Sequence, residues 1–67
     1  MTATELARDV VRDARQAAAY LAPQIVEDMA RARLALAVLA MDDSTPAAVR
    51  LMRLEDGFAA IREILYP

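Results

Sequence analysis

Three acidic residues near the start of the chain have a spacing that could hold a hard cation. Glu5, Asp9 and Asp13 recur every four residues, so on a helix they lie along one face. Arg8 and Arg12 each follow one of these carboxylates by three residues. Guanidinium groups at that spacing form ion pairs on a solvated helix face. We therefore expect no metal site here, and we predict no cofactor for this protein.

The side chains that most often perform catalysis are scarce. The chain has 67 residues without histidine or cysteine, and its eight basic residues are all arginine. A proton shuttle near neutral pH, a thiolate nucleophile and the commonest transition-metal ligands are therefore missing. The hydroxyl groups belong to Ser44, to threonines and to tyrosines, and no basic side chain suited to activating them is present. We predict that the protein is not an enzyme.

Four arginines flank the turn predicted between two helices, namely Arg31, Arg33, Arg50 and Arg53. In an antiparallel pair of helices they would meet near the turn and form a positive patch. Guanidinium forks bind carboxylates in bidentate fashion, so such a patch suits an acidic protein surface. Met52, a flexible thioether close to the turn, could adapt to a partner. We predict that these five residues bind a larger protein.

Each of these assignments has a simpler alternative. Arg31 follows Glu27 by four residues and Arg53 precedes Asp56 by three, so ion pairs within helices could occupy both arginines. Methionine more often fills a core than contacts a partner. Nucleic acid is a second possible ligand of the arginines, but the net charge is −2 and neither lysine nor tryptophan is present. A nucleic-acid-associated regulator is therefore the alternative function, ranked below protein binding.

The composition indicates that helices must position these residues. Apolar residues make up 58 % of the chain and charged residues 27 %, with a single glycine. Many alanines and few β-branched residues favour helix. The length corresponds to one small helical domain, residues 1–67, and a lone core of that size is only marginally stable. Because disulfides are excluded, we expect oligomerisation or a partner to add stability.

A first helix is predicted to start within the first few residues. The segment TATE, which begins at Thr2, has the spacing of a capping box, and apolar residues then recur at helical spacing through Leu21. Proline disfavours helical geometry in the residue before it, so Pro23 kinks or ends this helix. Because the apolar phase continues beyond the proline, we predict one long helix over about residues 3–41, kinked at Pro23. The alternative is three helices with a tight corner at Ala22-Pro23.

A second helix is predicted from Pro46, after the polar turn DDST at residues 42–45. Its apolar residues recur at alternating spacings of four and three: Ala47, Leu51, Leu54, Phe58, Ile61 and Leu65. Gly57 lies within this helix and should cost about 1 kcal/mol relative to alanine. A short turn makes the two helices antiparallel, so the predicted fold class is an all-α helical hairpin.

The segment after Pro23 carries two apolar stripes. The stripe predicted to face the second helix consists of Ile25, Met29, Ala32, Leu36 and Leu39. The opposite stripe, which no helix of a hairpin covers, consists of Ala30, Leu34, Val38 and Met41. An uncovered apolar patch marks an interface, so we predict that these last four residues pair two hairpins into a homodimeric four-helix bundle. The alternative is a compact monomer in which residues 3–21 fold back over this stripe.

The sequence shows neither a membrane-spanning segment nor a secretory signal. No uncharged run approaches the roughly 18 residues that a membrane span needs, and the first residues lack the pattern of a secretory signal. We expect a cytoplasmic protein that does not bind membranes. The predicted function is that of a non-enzymatic homodimer that binds and modulates or inhibits a larger protein. Short, motif-free helical chains are typical of phage and mobile-element accessory proteins that act on a host factor.

Overall fold

Three α-helices make up the part of the chain that the computed structural model describes, residues 2–41 and 44–67. They are α1 (Ala3–Ala17), α2 (Pro23–Leu39) and α3 (Ala47–Leu65), and each packs against the other two. Contacts between Arg31 and Phe58, and between Met41 and Arg53, make α2 and α3 antiparallel. The prediction of an all-α fold is confirmed, while the turn residues Asp42 and Asp43 lie outside the described residues.

The start of α1 has the cap that its sequence predicts. Thr2 is the N-cap residue, and its Oγ1 accepts a hydrogen bond from the backbone N–H of Glu5 at 3.2 Å. The same hydroxyl donates to Glu5 Oε1 at 3.3 Å. The cap begins an amphipathic helix whose buried residues are Ala7, Val10, Val11 and Ala14. This buried face covers α2 and α3.

The corner between α1 and α2 corrects the prediction of one long helix kinked at Pro23. α1 ends at Ala17, and in the turn that follows Leu21 N–H donates to the Ala18 carbonyl at 3.0 Å. Ala22 is extended, with φ −60° and ψ 147°, which is the geometry that the proline ring imposes on the residue before it. Pro23 is then the first residue of α2, where a missing N–H removes no helical hydrogen bond. Three helices with a corner at Ala22-Pro23, the alternative interpretation, is the observed arrangement.

This corner changes which stripe of α2 is buried. Ala30 and Leu34 are completely buried and Val38 is 1 % exposed. Both α1 and α3 pack against α2 within one chain, and Gly57 of α3 lies against Leu34. Met41, just beyond the helix, is half-buried. The assignment of these four residues to a dimer interface assumed that the chain left them uncovered. That assumption is wrong, and the stripe belongs to the core of a single chain.

The other stripe of α2, predicted to face the second helix, lies on the outside. We call it the α2 outer stripe, and it consists of Ile25, Met29, Ala32, Leu36 and Leu39. Leu36 is 66 % exposed and Leu39 is 65 % exposed, whereas Met29 is half-buried and contacts the edge of the core. The apolar phase that continued across Pro23 therefore belongs to a surface rather than to the hairpin seam.

The buried face of α3 differs in part from the predicted seam. Gly57 and Ile61 are buried, whereas Leu51 is 57 % exposed. The helix begins at Ala47, directly after Pro46, and no side chain caps its first turn by hydrogen bonding. The inner face is centred on Gly57, which brings α3 close to α2.

Candidate partner-binding groove

A groove of about 610 Å³ opens at the end of the bundle where α1 begins and α2 ends. We call it the terminal groove, and its main lining residues are Leu6, Val38, Met41, Val49, Met52 and Arg53. All three helices contribute to it, so its shape depends on the corner at Pro23 that returns α2 to the start of α1. Its lining is mainly apolar, as in sites that accept apolar groups. Met52 and Arg53, both predicted to bind a partner, lie here.

Met41 anchors one wall of the terminal groove. Arg53 Nη1 lies 3.4 Å from Met41 Sδ, and Arg50 Nη2 donates to the Met41 carbonyl at 3.5 Å. That carbonyl follows the C-terminal end of α2, where a positive charge is favoured by the helix dipole. The predicted ion pair of Arg53 with Asp56 is not formed, although both residues line the groove. Arg53 therefore contacts Met41 rather than Asp56, and its side chain is exposed at the edge of an apolar surface.

The remaining two predicted arginines lie elsewhere. Arg31 packs over the ring of Phe58, with its guanidinium carbon 4.8 Å from the ring centroid. Arg33 is exposed and follows Arg31 by two residues, so it points about 160° away around the helix. The structure does not gather the four arginines into one patch. Phosphate binding favours a continuous basic surface, so the nucleic-acid alternative gains no support from this arrangement.

A buried carboxylate joins α2 to the end of α3. Glu27 is only 8 % exposed, and its Oε2 lies 3.4 Å from Arg31 Nη1, as the spacing of the two residues predicts. The phenol of Tyr66, directly after α3, also lies within the influence of the Glu27 carboxylate. The pKa of Tyr66 is raised above its ordinary value, first by partial burial and then by the nearby carboxylate of Glu27, which disfavours a phenolate. Sequence spacing could not show this proximity, because Glu27 lies in α2 and Tyr66 directly follows α3.

The acidic face of α1 is a solvated, charge-paired surface. Arg12 Nη1 lies 3.4 Å from Asp9 Oδ1, and Arg12 Nε lies 3.4 Å from Asp13 Oδ1. All three side chains are more than 40 % exposed. Glu5 is engaged with Thr2 at the helix cap instead. Within residues 2–41 and 44–67, no three acidic or histidine side chains are arranged to hold a metal ion.

Comparison with protein-family models, with curated proteins and with solved structures found no match to this chain. None of the helices in the described part of the chain is long and apolar enough to cross a membrane.

Proposed function

We propose that the protein is a non-enzymatic interaction module that pairs with a second copy of itself and binds a larger protein through the terminal groove. The terminal groove is the observation that supports binding to a larger protein. Met41 and Met52 are flexible thioethers that adapt to the shape of a bound side chain. Leu6 and Val49 provide firmer walls between them. An apolar recess of this kind suits side chains from a helix of another protein.

Charge at the groove adds a preference among partners. Arg53 stands beside the apolar lining, and a guanidinium fork binds carboxylates in bidentate fashion. A partner helix with apolar residues on one face and an acidic residue next to them would satisfy both features. Covering such a helix would occlude it from other proteins, which is how a module without catalytic groups modulates or inhibits its target.

A capture experiment with matched variants tests this binding. The tagged chain is incubated with nuclease-treated lysate of the source organism, alongside Met52→Glu and Ala59→Glu. Met52 is 56 % exposed and lines the groove, whereas Ala59 is an exposed residue of the same helix outside it. Both substitutions add one negative charge. We expect the original chain and Ala59→Glu to capture the same protein and Met52→Glu to lose it.

Two results would contradict the groove proposal. Capture that survives Met52→Glu would place the binding surface elsewhere on the molecule. Capture that occurs without nuclease and disappears with it would indicate the nucleic-acid-associated alternative.

A further inference from the structure

The α2 outer stripe has the residue spacing of a helix–helix interface. Its members follow one another at intervals of four, three, four and three residues, the pattern of the a and d positions of a coiled coil. Met29 and Leu36 occupy a positions, and Ile25, Ala32 and Leu39 occupy d positions. Single exposed apolar residues are ordinary. Here four of the five members of a heptad row are exposed, namely Ile25, Ala32, Leu36 and Leu39, and such a row is the surface that a second helix covers.

Two charged residues border this stripe at positions where a partner helix would meet them. Asp28 immediately precedes Met29 at a g position, and Arg33 immediately follows Ala32 at an e position. Neither charge takes part in an ion pair with the residues that the structure describes. In a parallel pair of helices, a g residue lies beside the partner's e residue five positions further on. Asp28 and Arg33 are separated by that interval.

We propose that the α2 outer stripe pairs in parallel with the same stripe of a second copy of this chain. The proposal rests on the homodimer of the proposed function and names its surface and direction. The two-fold axis runs along the stripe, so Asp28 of each copy pairs with Arg33 of the other, once on each side. The terminal groove is not part of this interface.

Charge also disfavours the antiparallel pairing. An antiparallel pair centred on Ala32, the middle residue of the stripe, places e positions beside e positions. The two Arg33 side chains would then meet close to the axis and repel each other, and Asp28 would face no positive charge. Repulsion in one orientation and attraction in the other select the parallel pair.

The size of the stripe determines how tightly the copies pair. α2 has 17 residues. A helix of that length is about 25 Å long and about 10 Å wide, so one face of it buries less than the roughly 800 Å² per partner of a standard interface. We therefore expect a reversible dimer whose population rises with protein concentration.

A charge-exchange experiment on the full chain tests the pairing. Analytical ultracentrifugation at low ionic strength compares the original chain with Asp28→Arg and Arg33→Asp. Each substitution converts two attractions into two repulsions and should raise the dimer Kd about tenfold or more. An equimolar mixture of the two variants should regain the original Kd, because the mixed dimer restores both ion pairs. Single substitutions without effect, or a mixture without rescue, would overturn the proposal.

The direction of pairing has its own test. The chain lacks cysteine, so Leu39→Cys introduces a single thiol at a d position. In the parallel dimer this position faces itself and oxidation should link the two copies, whereas in an antiparallel dimer it faces Ile25. Ala59→Cys, on α3, is the control for collisional cross-linking. Cross-linking of Leu39→Cys no faster than of Ala59→Cys would overturn the parallel direction.

Failure of this proposal is distinguishable from failure of the groove. Leu36→Glu should abolish the dimer without unfolding the chain, since Leu36 is largely exposed, and Met52→Glu should leave the dimer unchanged. An original chain that stays monomeric at every concentration would overturn the pairing. Capture of a partner that remains sensitive to Met52→Glu would still support the groove.

Discussion

Gly57 of α3 lies directly against the side chain of Leu34 of α2, at the centre of the core. A Cβ added at position 57 would lie 2.9 Å from Leu34 Cδ2 and closer still to Cδ1. Leu34 is completely buried and Gly57 is buried as well, so neither has open space into which to move. The glycine that weakens α3 as an isolated helix is therefore what allows α3 to approach α2.

Gly57→Ala should destabilise the protein even though alanine is the better helix former. The gain in helix propensity is about 1 kcal/mol, whereas overpacking a tight core costs about 1–3 kcal/mol. We expect a net loss of about 1 kcal/mol in the free energy of unfolding, measured by urea denaturation. Repeating the substitution in a Leu34→Ala background removes the clash, and there Gly57→Ala should stabilise. A stabilising effect in the original chain would contradict this contact.

Acidic substitutions at two nearby positions of α2 should have opposite outcomes. Val38 is 1 % exposed and Leu36 is 66 % exposed. Val38→Glu buries an unpaired carboxylate and should unfold the chain, because the cost exceeds the few kcal/mol by which a small domain is stable. Leu36→Glu should retain the helical circular dichroism spectrum and the melting transition. A folded Val38→Glu variant that is merely monomeric would instead favour the dimer interface predicted from sequence.

The contact between Glu27 and Arg31 should contribute measurably to stability. Arg31→Gln removes the cation that neutralises a nearly buried carboxylate, and it also removes the packing over Phe58. We expect a loss of about 1–2 kcal/mol in the free energy of unfolding, typical of a hydrogen bond to a charged group. The matched control is Arg33→Gln on the same helix, which should change the stability of dilute protein by less than about 0.5 kcal/mol. Equal effects of the two substitutions would contradict the role given to Glu27.

Stability should fall at alkaline pH because of Tyr66. Its folded-state pKa is raised, so the neutral phenol is favoured in the folded chain, first by partial burial and then by Glu27. The resulting stability is present below the unfolded pKa of about 10 and is lost as the pH rises through the higher folded value. In a Tyr20→Phe background, which leaves Tyr66 as the only tyrosine, ultraviolet titration should give a higher midpoint for the native than for the urea-unfolded chain. Identical midpoints would exclude the contact with Glu27.

Local features of the sequence predict the start of α1 and the helical class correctly. A hydroxyl three residues before a carboxylate is sufficient to place the cap at Thr2, and the charged face of α1 follows from residue spacing alone. The error at Pro23 has a physical cause, since proline both kinks helices and begins them. The helical spacing of apolar residues continues across Pro23, and this continuity favoured a kinked helix. In the structure, the same spacing connects the buried face of α1 with the exposed outer stripe of α2.

The residues of the candidate sites are far apart in the sequence, so residue spacing could not predict that they are in contact. Met41 meets Arg53 only because α2 and α3 are antiparallel, and Leu6 joins them only because α1 folds back. The buried stripe of α2 packs against α3 through Leu34 and Gly57, and α1 packs against α2 as well. Residue spacing identifies both stripes, but which of them is buried depends on how the three helices pack.

The α2 outer stripe is the surface proposed to pair two copies of the chain. Backbone amide chemical shifts of isotope-labelled protein, recorded by NMR while the concentration is raised, test it most directly because they report on every helix at once. We predict concentration-dependent changes centred on Asp28, Arg33, Leu36 and Leu39, with the residues around Met52 unchanged. Changes centred on the terminal groove, or none at any concentration, would contradict this account.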